Sequence, residues 1–502
     1  MIKRSLSFLQ LKLEAILGLF LFLFLFSGCS RDQGLPIAHS GYPSKIGKIM
    51  EANCAVPGCH TTKSKDGAAG LDLSTWDHMF EGARNGSSVI PFRADQSYLM
   101  YFINTYEDLG VHLLPTMPNN KPALSHDDVV TIRDWINAGA TDNNGFVKFS
   151  DNATRKKFYV TNQACNLVTV FDAETRLPMR VVNVGNAENI SPHMVRVSPD
   201  GKYWYVVFYS GNAIEKYDAS TDHIVSRIPI TSASVPISGS WNTMCISADS
   251  KSAYAIDWEA NGIVAFFDLE HNTNPITYQG SGLYTFPHGS VLNHAGNTLY
   301  ITGQTGNYIY KEDVTDPFNF NFPQQIVLQT GATPNSTSLY DAHEIAFSPD
   351  EAFYFVTCQK SNEVRVMQTS NDSLVAVIPV GIYPLEISVS KTMPYLFVSC
   401  QEDTIQFPSS RGLISVINYE THQWVKNIFT GWQPHGLAVD DNRHLVYIAN
   451  RNATTTGPAP HHSGTCGGRN GYVTAIDMNT LELLPGFKTE VNVNPYSVAV
   501  RN

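Results

Sequence analysis

The chain predicts a mainly β protein: a closed ring of four-stranded repeats, preceded by a small all-α domain. Three observations carry that expectation. Only 16% of the 502 residues are charged and 43% are hydrophobic, with 35 Gly, 27 Pro and 23 Tyr; this is the composition of short strands and turns rather than of solvated helix faces. From about residue 155 to the end the chain resembles itself in units of 40 to 60 residues, the spacing of four-stranded repeats. Before residue 145, apolar residues recur at helical rather than strand spacing. Sparse charge with ample apolar content argues against disorder. The formal charge of −11, with no basic cluster, argues against nucleic acid as a partner.

The first 30 residues stand apart. Lys3 and Arg4 precede an unbroken Leu/Phe run from Leu19 to Phe26, closed by Ser27-Gly28-Cys29. A basic start, an apolar stretch and small residues before a cleavage point read as a secretory signal. Ending in Cys, it resembles a bacterial lipoprotein signal, with Phe26 where Leu is usual. That resemblance implies removal of residues 1–28, lipidation of Cys29, and a tether over residues 29–41. It also implies a membrane-anchored protein on the periplasmic side of the envelope. Ser30-Arg31-Asp32 lean toward the outer membrane. An uncleaved anchor is the alternative. Cleavage removes Lys3, Arg4, Lys12 and Glu14 and takes the charge to −13.

Residues 42–145 form the helical domain. Ile46, Ile49 and Met50 at 3/4 spacing predict a short amphipathic helix leading into Cys54-Ala55-Val56-Pro57-Gly58-Cys59-His60. Two thiols followed at once by His is the arrangement that attaches c-type haem, since each thiol adds to a porphyrin vinyl group and the imidazole reaches the iron. The cysteines here are separated by four residues instead of two. Met117 lies in Leu-Pro-Thr-Met-Pro, fifty-seven residues beyond His60, and thioether opposite imidazole is an electron-transfer ligand pair. Ser125 reads as an N-cap with Asp128 as its capping-box partner. Val129, Ile132, Trp135 and Ile136 follow at helical spacing, and Gly139 ends the element. The order resembles a small single-haem cytochrome c domain. The resemblance implies one haem c on Cys54 and Cys59, with His60 and Met117 as axial ligands. Met79 and Met100 are rival ligands that read better as core, and His112 is a weaker rival. In the competing reading Cys54 and Cys59 form a local disulfide and His60 is incidental.

The repeats occupy residues 155–502. One phase reads SPHMVRVSPDG (191–201), DAHEIAFSPDE (341–351) and QPHGLAVDDNR (433–443); the next reads FYVTNQACNLVTVFD (158–172), YFVTCQKSNEVRVMQ (354–368) and VYIANRNATTTG (446–457). Inner strands are predicted to begin near 192, 241, 287, 342, 384, 434 and 495, which makes a seven-bladed β-propeller. Strands from 157 to 183 lack an inner partner before them, and 495–502 has the inner-strand pattern with no blade after it. Pairing those segments closes the ring and hides both edges. The YVTN-type strands resemble the YVTN β-propeller family, related in fold to the haem d1 domain of nitrite reductases and to nitrous oxide reductase. Such a resemblance bears on fold more than on chemistry.

Two clusters in the propeller are candidate metal sites. His193, His288, His343 and His435 recur at the start of inner strands and converge on the channel, where imidazoles suit copper, zinc or haem iron. The resemblance to nitrous oxide reductase-like propellers, which ligate copper from such a hub, is incomplete, because Trp241, Leu385 and Tyr496 replace His in the other blades. The alternative is structural, each imidazole bonding a neighbouring blade's backbone. His461, His462 and Cys466 lie in a Gly/Pro-rich insertion, a place where loops bind ligands. Besides Cys29, Cys54 and Cys59, there remain Cys165, Cys245, Cys358, Cys400 and Cys466, an odd number that cannot fully pair. Cys358 and Cys400 take the repeat phase of Asn162 and Asn450 and read as small buried residues. No nucleophile elbow, phosphate-cradling loop or zincin helix is present, which lowers hydrolase and nucleotide readings.

The functional expectation is an exported, membrane-anchored haem c electron-transfer protein with a redox partner protein, its propeller docking a partner or binding a substrate. Two other readings stand beside it. One is an oxidoreductase with a hub metal or d1-like haem. The other is a non-redox surface scaffold with Cys54–Cys59 as a disulfide.

Overall fold

A computed structural model describes residues 40–502, apart from 187–189, 233–234, 272, 281, 320, 339, 454–465 and 467–468. The predicted signal segment 1–28, Cys29, His461 and His462 lie outside the described residues. No described helix is long and apolar enough to cross a membrane.

Seven four-stranded antiparallel sheets form a seven-bladed propeller. The inner strands are Pro192–Val197, Trp241–Ile246, Pro287–Leu292, Ala342–Phe347, Pro384–Val389, Pro434–Asp440 and Pro495–Arg501; we number blades one to seven in that order. Five of the seven begin with Pro, which has no N–H to offer a ladder and therefore suits a strand's first position. Blade seven is the seam. Its inner strand, Pro495–Arg501, pairs antiparallel with Lys157–Asn162, matching Lys157 to Arg501 and Val160 to Val498. Strands Leu167–Asp172 and Pro178–Asn183 complete it.

The turn chemistry explains the repeats. In Ser-x-Asp, Ser198 Oγ donates to Asp200 Oδ1 at 2.7 Å, and the same carboxylate accepts from Lys202 N at 3.0 Å. Ser247 with Asp249 and Ser348 with Asp350 repeat the bond at 2.6 Å. At the opposite turn Asp172 accepts from the backbone N and hydroxyl of Thr175 at 2.9 and 2.7 Å. Packing between sheets comes from interdigitated aromatics, such as Phe158 of blade seven stacked on Tyr447 of blade six with centroids 3.9 Å apart. Each such ring buried contributes roughly 1.5–3 kcal/mol. Cys358 and Cys400 are fully buried at their strand ends, each directed at the carbonyl two residues back, as are Asn162 and Asn450. They are small core residues of adjacent blades.

A helical unit precedes the propeller. It contains α1 (Ser44–Asn53), α2 (Trp76–Met79), α3 (Tyr98–Ile103) and α4 (His126–Asn137). Ile46, Ile49 and Met50 of α1 and Val129, Ile132, Trp135 and Ile136 of α4 face one core. Ser125 caps α4, accepting from Asp128 N at 3.2 Å. Asp128 accepts from the Ser125 hydroxyl at 2.7 Å, rather than from its backbone N–H as a full capping box requires. The unit is docked on blades six and seven. Gln96 Oε1 accepts from Asn492 Nδ2 at 2.7 Å, and Arg93 donates to Val181 O at 2.9 Å. Arg469, 2% exposed, donates to Gln96 O at 2.5 Å and lies over the Tyr98 ring at 4.8 Å.

Candidate functional site

The helical unit encloses a cavity of about 550 Å³ that Cys54, Cys59, His60 and Met117 all line. Local folding brings the first three together. Helix α1 ends at Asn53, and the turn after it folds back so that His60 N donates to Cys54 O at 3.2 Å and Cys59 N to Val56 O at 3.0 Å. Gly58 takes φ +84° in that turn, a left-handed conformation that suits Gly. Met117 arrives from the opposite side of the sequence, pinned by its own N–H to Phe102 O at 2.7 Å. Leu71, Leu73, Leu99, Phe102 and Ile103 supply the apolar lining. The volume falls in the range of pockets that take cofactor-sized ligands.

His60 Nδ1 lies 3.3 Å from Leu71 O. A carbonyl only accepts, so Nδ1 carries the proton and Nε2 keeps its lone pair. Burial lowers the His60 pKa, which favours the neutral imidazole that ligates metals. Burial pushes the Cys54 thiol up to about 12. Cys54 and Cys59 are not joined to one another. Met79 and Met100 are buried in the helical core and do not line the cavity, and His112 is exposed.

One wall of this cavity is backed by the propeller. Asn85, Gly86 and Tyr98 line it, and all three touch strand Glu482–Val491 of blade six. A Cβ on Gly86 would meet Thr489 Cγ2 at 2.7 Å, so this close approach requires Gly. Asn85 O accepts from Glu490 N at 3.2 Å, and the Tyr98 hydroxyl donates to the Glu490 carboxylate.

The predicted hub histidines do converge. His193, His288, His343 and His435 line a second cavity, of about 240 Å³, at one mouth of the channel. His288 and His343 have ring centroids 3.9 Å apart, and His435 lies 3.7 Å from the Tyr496 ring. His288 Nδ1 bonds His343 O, and His435 Nδ1 bonds Tyr496 O, both at 3.1 Å. Each reaches the backbone of an adjacent blade along the ring, the structural role weighed from the sequence. Burial lowers all four imidazoles, His288 to about 4. Among the described residues no three His, Cys, Asp or Glu side chains form a group that holds a metal ion.

No family model matches the chain. No curated protein matches it either. Among solved structures, a chain of Kuenenia stuttgartiensis hydrazine synthase is similar over 61% of this chain and 89% of its own, at 16% identity and a TM-score of 0.47.

Cys466 is a correction. It was a candidate metal ligand with His461 and His462, but it is disulfide-bonded to Cys165, with the Cα atoms 5.3 Å apart. A sulfur shared with another sulfur has no thiolate to offer a metal. His461 and His462 lie outside the described residues.

Sequence reasoning missed a second polar ring above the histidines. Trp258, Gln304, Gln359, Gln401 and Arg451 line the same cavity. Their signal stands in the repeats: four of them directly follow Gly303, Cys358, Cys400 and Asn450, the small or Asn residues that end each second strand. Reading those repeats for strand pattern alone passes over the next residue.

Proposed function

We propose that residues 42–145 are a c-type cytochrome domain and that the chain is an exported, membrane-anchored electron-transfer protein. The propeller serves as the docking platform for a redox partner protein. One observation carries the reading: Cys54, Cys59, His60 and Met117, drawn from two distant segments, line a single apolar cavity of about 550 Å³. Two thiols, an imidazole and a thioether are the donor set of covalently held haem c, and the residues present fit that group.

When bound, the haem supplies an iron that passes one electron at a time. The chain's residues do the rest. Cys54 and Cys59 would hold the group covalently, as thioethers to its two vinyl carbons. Leu71 O holds the His60 tautomer that leaves Nε2 free to ligate. Met117 provides the soft ligand that favours the reduced state and raises the potential. Leu99, Phe102 and Ile103 exclude water. Cys29 provides the lipid tether, and the mature charge of −13 favours a basic partner.

The test is a pyridine haemochrome spectrum of protein made with haem-maturation machinery. One c-type haem per chain is expected, retained through denaturation. Cys54→Ser with Cys59→Ser abolishes covalent retention, and Met117→Ala keeps the haem but lowers its potential. Absence of any c-type signal, with a 2 Da mass loss locating a Cys54–Cys59 disulfide, overturns the proposal in favour of a non-redox surface protein.

A further inference from the structure

The channel-mouth cavity carries unspent binding capacity. Arg451 is the one permanently charged side chain among the described residues that line it. Its Nε donates to Asn494 Oδ1 at 2.6 Å and one terminal nitrogen to Gln401 Oε1 at 3.1 Å. It also lies over the Tyr496 ring at 5.0 Å. All three partners are neutral, and no hydrogen bond from the second terminal nitrogen, Nη2, is found among the described residues. Asn242 is 1% exposed and lines the same cavity, yet neither its amide nitrogen nor its oxygen has a partner among the described residues. The Trp258 indole N–H is buried and has no partner among the described residues either. A polar group left so costs about 1–3 kcal/mol, which a ligand supplying complementary atoms recovers.

The acceptors are defined as well. His288 and His435 donate through Nδ1 to backbone carbonyls, so each Nε2 holds a lone pair for a hydroxyl. The four imidazoles are neutral, so the cavity offers one positive charge and no second cation for a dianion. At about 240 Å³ it lies below the size that drug-like ligands need. Tyr209, Tyr383 and Tyr496 give it aromatic flanks.

We propose that this cavity binds a small monoanionic hydroxycarboxylate, its carboxylate taken by Arg451 and its hydroxyls by Asn242, Trp258 and the imidazole lone pairs. The inference does not rest on the haem reading, since none of these residues belongs to the helical unit. A failed binding test leaves the haem spectrum untouched.

The experiment is calorimetric titration of the full-length protein with L-lactate, glycerate and gluconate, using erythritol and sulfate as controls. One-to-one binding of at least one acid is expected, with a Kd of about 1 mM or tighter, and no binding of erythritol. Arg451→Gln weakens it about ten-fold or more, the loss of a charge-assisted bond. Because Arg451 also holds Asn494 and Gln401, Trp258→Phe provides a second variant that keeps the ring and deletes only the N–H; roughly five-fold weaker binding is expected. Three results each overturn the proposal: no binding of any acid, sulfate binding as tightly as the acids, or wild-type affinity in both variants.

Discussion

Arg469 holds the helical unit against the propeller, and its replacement by Met isolates that role. Met keeps most of the side-chain volume and deletes the guanidinium. Two bonds are lost, to Gln96 O at 2.5 Å and to Glu490 O at 3.2 Å, together with the cation–π contact over Tyr98 at 4.8 Å. A hydrogen bond to a charged group contributes about 1.5–3 kcal/mol, and a desolvated cation–π contact about 2 kcal/mol. Against this, the variant no longer has to desolvate a charge, which returns several kcal/mol. The balance, with two buried carbonyls left bare, is a loss of about 3 kcal/mol. The loss is local, because Gln96 and Tyr98 frame the start of α3. Urea unfolding measures the global term with an unchanged slope. Hydrogen exchange at the amides of 98–103 measures the local one, where 3 kcal/mol means roughly 100-fold faster exchange. A cost under about 1 kcal/mol with unchanged protection at those amides refutes the reasoning.

Two further perturbations address the propeller. Burial raises the Glu312 carboxyl to about 7, and Tyr284 donates to it at 2.5 Å. A folded pKa above the unfolded value contributes stability that is complete below about pH 4.5 and lost as pH rises through 7, up to about 3 kcal/mol. Glu312→Gln should flatten the urea midpoint across that window, and an unchanged slope refutes it. The Cys165–Cys466 bridge spans 301 residues, for which chain entropy sets a ceiling near about 6 kcal/mol. Cys165→Ser with Cys466→Ser should cost about 2–5 kcal/mol; equal midpoints with and without reductant sink that estimate.

The propeller was legible because its information is local and repeated. Each predicted inner-strand start coincides with the residue where the strand begins, since Pro at five of the starts, an alternating run in each blade and a Ser-x-Asp turn in blades one, two and four mark the repeats independently. Closure followed from counting: one inner pattern too many at the end and one too few at the beginning. In the helical unit, Ile46, Ile49, Met50 and Ser125 carried their roles at short spacing. What the sequence hid is what depends on distant partners. Nothing near Cys466 points to Cys165, so a thiol in a His-rich insertion read as a metal ligand. Nothing near Arg469 points to Gln96. The polar ring at the channel mouth was hidden differently, because period-2 alternation decides which face a strand residue takes but says nothing of the first residue past the strand.

Those distant contacts also relate the two cavities. Asn492 Nδ2 donates to Gln96 Oε1 of the helical unit at 2.7 Å. Two residues later, Asn494 accepts from Arg451 Nε at 2.6 Å and donates to Gln163 Oε1 at 2.9 Å, and Gln163 Nε2 lies 3.4 Å from His193 Nδ1. Asn494 takes φ +59°, a left-handed conformation that Asn tolerates better than most residues. A three-residue connection between the last strand of blade six and the seam strand therefore anchors the dock of the helical unit at one end and the channel-mouth cation at the other. Its position explains why the helical unit sits at the seam rather than on another blade. Blades six and seven contribute the buried Arg469–Glu490 contact and this connection, and here the strand that backs the larger cavity leads directly into the strand that closes the ring. One continuous stretch of chain, Glu482 to Arg501, thus backs the larger cavity through Thr489 and Glu490 and lines the smaller one through Tyr496.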